Sequence, residues 1–128
     1  MPGLRKAITS KKMTSVGPYS HAIDSNGLIF LSGQIPLDPN TGKLIEGDIS
    51  IQTKQCFDNS IGILEEAGLG LDDVEKVTVY LTDMNDFSAM NDVYKKQFSQ
   101  PYPARTTIGV VSLPLGARVE IEMITRGR

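Results

Sequence analysis

Residues 48–67, DISIQTKQCFDNSIGILEEA, decide the fold class because they carry the clearest helical pattern in the chain. The side chain of Asp48 or Ser50 can cap the first turn, and Gly68 can end the helix in the left-handed conformation. One stripe follows the i, i+4, i+8, i+11 spacing of a helix face and consists of Thr53, Phe57, Ile61 and Leu64. The pattern predicts a helix, and the flanking segments must then supply the strands that it covers.

A second helix is predicted over residues 86–98. Pro101 and Pro103 follow it closely and prevent it from continuing, because proline lacks the backbone donor that a helix needs. One face of this segment carries four large side chains, those of Phe87, Met90, Tyr94 and Phe98. The two helices divide the remaining chain into strand-forming segments before, between and after them.

Runs of β-branched residues and period-2 alternation predict strands outside the helices. Asn26-Gly27 joins two of these strands and is a strong hairpin signal, while residues 39–42, PNTG, form a further turn. The predicted strands are residues 4–8, 20–24, 28–32, 77–82, 105–111 and 119–123.

The predicted order β-β-β-α-β-α-β-β defines an α+β fold with a mixed sheet. Each strand–helix–strand unit implies a parallel crossover, whereas the hairpins imply antiparallel pairs. Two helices can cover only one face of such a sheet, yet residues 28–31 and 108–111 are apolar on both faces. The uncovered face needs a partner, for which a second copy of this chain is the simplest candidate, so we expect a homo-oligomer.

Composition narrows the classes of function. The 128 residues are 40% hydrophobic and 22% charged, and they contain no linker, which predicts a single domain over residues 1–128. The net charge of −2 and the pI near 5.3 disfavour a nucleic-acid partner. The sequence lacks the run of about 20 apolar residues that a membrane span needs, and its start lacks a secretory signal pattern. We therefore expect a cytoplasmic protein without membrane contact.

The single cysteine and the single histidine exclude several kinds of site. Cys56 cannot form an internal disulfide, and with His21 it cannot complete a zinc site of the Cys/His type. Cys56 is expected to be a small buried apolar residue. Ser20 and His21 cannot bond each other, because neighbours on a strand point to opposite faces, so His21 is interpreted as a polar residue near a subunit edge. No metal site is predicted.

Two further features fit either a catalytic pocket or a structural role. Arg105 begins a predicted strand, and Glu120 and Glu122 lie on one face of the last strand. If these two strands pair as neighbours, Arg105 and Glu120 share a pocket. The guanidinium would bind a small carboxylate there, and the glutamate would activate water. The alternative is a structural salt bridge between edge strands, and the residue pattern leaves both open.

Five segments resemble the signature segments of the RidA (YjgF) family of reactive-intermediate deaminases. They follow the expected order over about residues 6–126, and the last two are the most specific pair. The segments are GPYS (17–20), SGQIP (32–36), NDF (85–87), PAR (103–105) and VEIE (119–122). The resemblance implies a chorismate-mutase-like fold and a homotrimer whose sheets line an inner barrel. It also implies ligand clefts between subunits and no cofactor.

The activity implied by the resemblance is that of a 2-iminobutanoate/2-iminopropanoate deaminase. This hydrolase converts the enamine/imine forms of 2-aminocrotonate and 2-aminoacrylate to 2-oxobutanoate and pyruvate, with release of ammonia. Carried over by position, Arg105 binds the substrate carboxylate and Glu120 positions or activates the attacking water. The residues expected to line or shape the cleft are Tyr19, Ser32, Gly33, Asn91 and, through its backbone, Thr107.

The sequence departs from the family pattern at two positions. Thr107 stands where many members carry cysteine, so thiol chemistry at that position is excluded, and His21 stands where many carry glutamine. Two other functions remain as alternatives. One is an endoribonuclease-type translation inhibitor, which the acidic pI and the 6% of aromatic residues disfavour. The other is a non-catalytic regulator or chaperone that binds 2-keto acids.

Overall fold

The computed structural model describes residues 5–13 and 17–128 and contains the predicted order β-β-β-α-β-α-β-β. Leu4, the first residue of the first predicted strand, lies outside the described residues. The strands are β1 (Lys6–Ile8), β2 (Ala22–Ser25), β3 (Leu28–Gln34), β4 (Val74–Leu81), β5 (Ala104–Gly109) and β6 (Val119–Arg126). The helices are α1 (Ile49–Glu66) and α2 (Phe87–Gln97).

The six strands form one mixed sheet in the order β1-β2-β3-β6-β4-β5. Strands β4 and β5 are parallel, as the crossover through α2 requires, and the other neighbouring pairs are antiparallel. The last strand inserts between β3 and β4, so β5 remains at the edge. The conditional pairing of the Arg105 strand with the Glu120 strand is therefore wrong, because β4 lies between them.

Helix α1 begins and ends as the sequence indicates. The Asp48 carboxylate accepts a hydrogen bond from the backbone N–H of Ile51 at 3.0 Å, and Gly68 follows the helix with a φ of 72°. The buried face is shifted from the predicted stripe, since Ile61 is only half-buried. The buried residues of the helix are Ile49, Thr53, Cys56, Phe57, Asn59, Ser60, Ile63 and Leu64.

An aromatic cluster joins the two helices above the sheet. The ring of Phe57 on α1 packs edge-on against Tyr94 on α2, with 5.8 Å between centroids, and against Phe98 just after α2 at 5.7 Å. Tyr94 and Phe98 are themselves 5.1 Å apart. Three of the four residues predicted to share a face of the second helix, Met90, Tyr94 and Phe98, are buried. The cluster fixes α2 against α1 and places both helices on the same side of the sheet.

The β2–β3 hairpin confirms the Asn26-Gly27 signal. Both residues have positive φ values, 51° for Asn26 and 90° for Gly27, as a type I′ turn requires. The turn places Ile23 opposite Phe30 and Asp24 opposite Ile29.

The face of the sheet away from the helices remains open in the single chain. Leu28, Phe30 and Ile108 expose 46%, 42% and 42% of their surfaces, respectively. Phe30 lies opposite Ile124 on β6, and Ile108 lies opposite Tyr80 on β4. Within the described residues, neither helix is long and apolar enough to cross a membrane. The open face thus carries large apolar side chains on the inner strand β3 and on the edge strand β5.

The N-cap of α1 provides a direct test of how this helix is stabilised. Asp48→Ala removes the acceptor for the Ile51 N–H, and we expect the free energy of unfolding to fall by about 1 kcal/mol. Urea denaturation at a fixed protein concentration measures the change. Asp58→Ala, on the exposed side of the same helix, is the matched control and should cost less. Equal losses in the two variants would contradict the role of the cap.

Candidate active site

Arg105 extends from β5 toward helix α2. Its Nη1 donates a hydrogen bond to Asn91 Oδ1 at 2.6 Å. Its guanidinium carbon lies 4.6 Å from the centre of the Tyr94 ring and 5.6 Å from that of Phe87. The amide and the aromatic faces therefore hold the guanidinium in place, and the stacking adds a cation–π attraction.

The Arg105 guanidinium has no carboxylate partner within 4.0 Å among residues 5–13 and 17–128. A cavity of about 500 Å³ opens beside it. The cavity is lined by Asn91, Tyr94, Lys95, Tyr102, Pro103 and Arg105. An oriented arginine without a protein carboxylate, at the wall of a cavity, can bind a carboxylate from outside by two charge-assisted hydrogen bonds.

Thr107 lies two residues further along β5, on the same side of the strand as Arg105. Its Oγ1 is buried and has no hydrogen-bond partner among the described residues, and the Tyr94 hydroxyl is in the same condition. A buried hydroxyl without a partner is uncommon in folded proteins. Both hydroxyls lie on the helix-covered side of the sheet, where Asn91 and Arg105 also meet.

Glu120 lies on β6, opposite Tyr80 of β4, and packs against the backbone of Gly33. A Cβ added to Gly33 would come within 2.2 Å of Glu120 Oε2, so the absence of a side chain at Gly33 makes room for this carboxylate. Burial raises the pKa of Glu120, and the nearby Glu122 carboxylate raises it further. A carboxyl group of this kind is suited to proton transfer nearer to neutral pH than an ordinary glutamate.

Ser32 is the chain neighbour of Gly33, and Tyr19 is the chain neighbour of the residue that Ser32 bonds. Ser32 precedes Gly33 at the irregularity of β3, where the register with β6 shifts between Leu31 and Gln34. The Ser32 hydroxyl donates to the Ser20 carbonyl at 2.6 Å, which ties the segment after Tyr19 to the strand. Tyr19 itself exposes 48% of its surface.

The structure separates five of the seven predicted site residues into two groups. The Arg105 group, with Asn91 and Thr107, lies on the face covered by the helices. Glu120 alternates along β6 with the buried residues Val119 and Ile121 and therefore faces the open side, where it packs against Gly33 of β3. The shared Arg105–Glu120 pocket within one chain is not formed, nor is a salt bridge between the two described side chains.

His21 and Cys56 both have structural roles. His21 is 3% exposed, and its Nδ1 accepts a hydrogen bond from the Ser10 backbone N–H at 2.9 Å. Burial lowers the pKa of His21, which favours the neutral ring. Within one chain it is therefore a buried hydrogen-bond acceptor. Cys56 is fully buried, as predicted, and burial raises the pKa of its thiol.

Two contacts were not predicted from the sequence. Tyr94 was interpreted only as part of an apolar helix face, and the structure shows that its ring also supports Arg105. Tyr80 donates a hydrogen bond to Glu122 Oε1 across the β4–β6 pair. This hydrogen bond and burial raise the pKa of Tyr80 to about 12. The sequence shows the alternation of apolar and polar residues along β4, but it does not show that β6 is the strand that pairs with β4.

The described residues contain no group of three or more His, Cys, Asp or Glu side chains placed to hold a metal ion. The Asp73 carboxylate accepts a hydrogen bond from the Gly70 backbone N–H at 3.0 Å and another from Arg128 Nη2 at 2.8 Å. The Asp73 carboxylate thus stabilises the turn before β4.

The six-stranded mixed sheet with two helices on one face defines the class of α+β domains to which several solved structures belong. RidA from an Antarctic Psychrobacter superposes with a TM-score of 0.89 and 43% identity, covering 95% of this chain and 99% of that one. A family model described as Endoribonuclease L-PSP matches residues 9–126. The chain belongs to the RidA (YjgF) family, which this model describes.

Named relatives are similar over most of their length. A RutC family protein of Pyrococcus abyssi is 50% identical over 116 residues, which cover 91% of each chain. A bovine protein named 2-iminobutanoate/2-iminopropanoate deaminase is 45% identical over 122 residues, or 94% of this chain and 89% of that one. Escherichia coli TdcF, solved with bound serine, has a TM-score of 0.88 and 37% identity, covering 96% of this chain and 99% of that one.

The close contact at Gly33 predicts the effect of a single methyl group. In Gly33→Ala, the Glu120 carboxylate must move by about 1 Å to reach an ordinary contact distance, whereas the fold should persist because a flexible side-chain end can give way. A crystal structure of the variant measures the displacement. Gly70→Ala is the control, since a Cβ there meets nothing within 4 Å. An unmoved Glu120 in Gly33→Ala would contradict this packing.

Proposed function

We propose that this protein is a hydrolytic deaminase of small enamine/imine carboxylates. Its substrates are 2-aminoacrylate and 2-aminocrotonate in their imine forms, and its products are pyruvate or 2-oxobutanoate and ammonia. The deaminase name of the bovine relative supports the reaction class, and the serine bound to TdcF supports an amino-acid-sized ligand in this fold. We place the activity in the cytoplasm, without a membrane or nucleic-acid partner.

One observation carries the proposal. Arg105 is oriented by Asn91 and Tyr94, yet it has no carboxylate partner among the described residues, and it lines a cavity. An arginine that served only the fold would be expected to pair with a neighbouring acid. An oriented, unpaired guanidinium instead favours a ligand that brings its own carboxylate.

Assembly into a homotrimer completes the proposed site. Arg105 and Glu120 lie on opposite faces of one sheet, so both can contact one small substrate only if two protomers contribute. The exposed Leu28, Phe30 and Ile108 on the open face favour the burial of that face against another copy. In the proposed cleft, one protomer supplies Arg105 with Asn91 and Thr107. The other supplies Glu120, with the cleft shaped by Tyr19, Ser32 and Gly33.

The reaction needs water and proton transfers only. The enamine first takes a proton from solvent at its β-carbon and becomes the protonated imine. Arg105 holds the carboxylate, and water then attacks the imine carbon while Glu120 accepts a water proton. The new C–O bond gives a carbinolamine. A proton returns from Glu120 to the carbinolamine nitrogen and the C–N bond breaks as the hydroxyl becomes the keto group. The hydroxyl proton leaves with the ammonia, which departs as ammonium. Glu120 is restored to its initial charge.

A coupled assay tests the proposal directly. The protein is added to a threonine dehydratase reaction, and 2-oxobutanoate formation is followed with and without semicarbazide, which traps the intermediate. Faster keto-acid formation and less trapped intermediate are expected. The family model's description makes ribonuclease activity the second candidate, so the same preparation is incubated with RNA at matched salt. RNA cleavage that is lost in Glu120→Ala, together with no deaminase effect, would favour that candidate.

Substitution of Arg105 tests its proposed role as a carboxylate clamp, in which the guanidinium binds the carboxylate of the substrate. Loss of a hydrogen bond to a charged group lowers kcat/KM by about 10- to 100-fold per bond, so Arg105→Ala should leave no detectable deaminase activity. Arg105→Lys should lose most of the activity, because an ammonium group cannot donate in the same two-pronged geometry. Lys96→Ala, on the exposed side of α2, is the control. Wild-type turnover in Arg105→Ala would exclude the clamp.

Glu120→Gln separates proton transfer from binding. The amide preserves the shape of the side chain but cannot accept the water proton, so kcat should fall by about 10²- to 10⁴-fold. Binding of pyruvate, followed by calorimetry, should change little. A variant with full kcat would show that another group handles the proton.

The oligomeric state is a separate prediction. Light scattering should give a mass of about three times the 14.0 kDa of one chain, because the open sheet face is expected to be buried. Phe30→Glu places a charge on that face and should weaken assembly and abolish activity together. A monomer at micromolar concentration that retains full activity would contradict a site shared between protomers.

A further inference from the structure

Residues 5–13 form the N-terminal segment, which lies along one edge of the sheet and over helix α1. Its strand β1 is the edge strand and pairs with β2. Ser10 lies against α1, where a Cβ added to Gly62 would come within 3.8 Å of Ser10 Oγ. Ile8 and Met13 pack against the buried core. The segment therefore covers part of the core, and its detachment exposes apolar surface.

One buried hydrogen bond attaches the middle of this segment to the residue before β2. Ser10 is 1% exposed, and its backbone N–H donates to His21 Nδ1 at 2.9 Å. The following residues turn back on Ser10, because its Oγ accepts the Lys12 N–H at 3.3 Å and its carbonyl accepts the Met13 N–H at 3.5 Å. Among the described residues, His21 Nδ1 is the one acceptor of the Ser10 N–H. A buried N–H that loses its acceptor gets no replacement from water.

We propose that the Ser10–His21 hydrogen bond is a pH-sensitive contact: the neutral ring of His21 holds the N-terminal segment in place, and protonation of the ring releases it. Nδ1 needs its lone pair to accept the N–H, so the ring proton is on Nε2. A proton added at Nδ1 turns this acceptor into a donor. Two donors then face each other across the 2.9 Å that separate the nitrogen atoms, and the Ser10 N–H is left buried without an acceptor.

No acid in contact with the ring compensates for a positive charge on it. His21 forms no ion pair within 4.0 Å with a carboxylate of residues 5–13 and 17–128. Asp38 lines the same cavity of about 250 Å³ as His21, but its Oδ1 accepts the Asn40 N–H at 2.8 Å. Tyr19 also lines this cavity, and a phenol supplies no negative charge in acid. His21 exposes only 3% of its surface in the single chain, so a second copy of the chain has almost no access to the ring.

The charged groups of α1 and of the N-terminal segment bind one another and not the ring. Glu66 Oε1 accepts the Lys11 backbone N–H at 3.2 Å. The Glu65 carboxylate lies 4.0 Å from the Lys12 ammonium, and both side chains are exposed. A surface ion pair of this kind contributes little to stability. The buried hydrogen bond to His21 is therefore the attachment of this part of the segment that depends on the protonation of one group.

The direction of the pH dependence follows from the burial of the ring. Burial lowers the pKa of His21 in the attached state, because the charged ring loses its hydration. A released ring titrates near the ordinary histidine pKa of about 6.5. The attached state is therefore fully favoured above about pH 6.5, and this preference declines as the pH falls toward the lower pKa of the attached ring.

The backbone contacts of the same residue do not titrate. The His21 carbonyl accepts the Ser32 N–H at 2.9 Å, and the Ser20 carbonyl accepts the Ser32 hydroxyl at 2.6 Å. These two bonds attach residues 20–21 to β3 whatever the charge of the ring. Acid should therefore release the N-terminal segment and leave the β2–β3 hairpin folded.

Amide hydrogen exchange of the intact protein, followed by NMR between about pH 7.5 and about pH 5, tests the inference across the ordinary pKa of histidine. His21 is the only histidine of the chain, so a ¹⁵N-histidine label reports the protonation of this ring alone. As the ring takes up its proton, the protection factor of the Ser10 amide should fall by about tenfold or more, because a buried donor loses its acceptor. The protection factor of the Ser32 amide should stay the same.

His21→Gln is the matched control, since an amide oxygen can accept the Ser10 N–H and does not titrate. In this variant the Ser10 amide should keep its protection in acid. His21→Leu removes the acceptor, so Ser10 should be weakly protected at both ends of the pH range while Ser32 stays protected. Three results would overturn the inference: a Ser10 amide that stays protected in the wild type when the ring is protonated, Ser10 and Ser32 amides that lose protection together, or the same acid-induced loss in His21→Gln.

Discussion

The alternation of side chains along strand β6 between a covered and an open face is the constraint on which the molecule depends. Val119, Ile121 and Met123 are at most 1% exposed beneath the two helices, and the residues between them, Glu120 and Glu122, face away. A one-residue slip of this strand would place two carboxylates in the core and three apolar residues on the open face. The cost of burying unpaired charge therefore fixes both the core and the position of the candidate catalytic glutamate.

The aromatic cluster between the helices couples the core to the candidate site. Tyr94 packs against Phe57 and Phe98 on one side and supports the Arg105 guanidinium on the other. The orientation of the half-buried Arg105 side chain is thereby set by packing in the core, which holds the guanidinium more firmly than a surface contact would. This coupling explains how Arg105 stays ordered although no described carboxylate binds it.

The separation of Arg105 and Glu120 by the sheet also explains why the proposed site needs two protomers. Arg105 and Glu120, the proposed carboxylate-binding group and proton acceptor, lie on opposite sides of the same sheet in one chain. Under the proposed function, association brings one group from each of two protomers into a common cleft and buries the exposed apolar side chains of the open face. Folding and assembly would then share one driving force, the burial of apolar surface, and assembly would complete the catalytic site.

Local patterns were sufficient for both helices, for the residues Asp48 and Gly68 that begin and end α1, and for the Asn26-Gly27 hairpin. Capping, turn geometry and periodicity involve only neighbouring residues. The order of elements followed from the same signals. Strand order was decided by tertiary structure, since the insertion of β6 between β3 and β4 depends on which apolar faces pack together. Hence the Tyr80–Glu122 contact and the separation of Arg105 from Glu120 were not visible in the sequence. Both depend on the register between strands that are distant along the chain, and a residue's spacing within its own strand carries no information about that register.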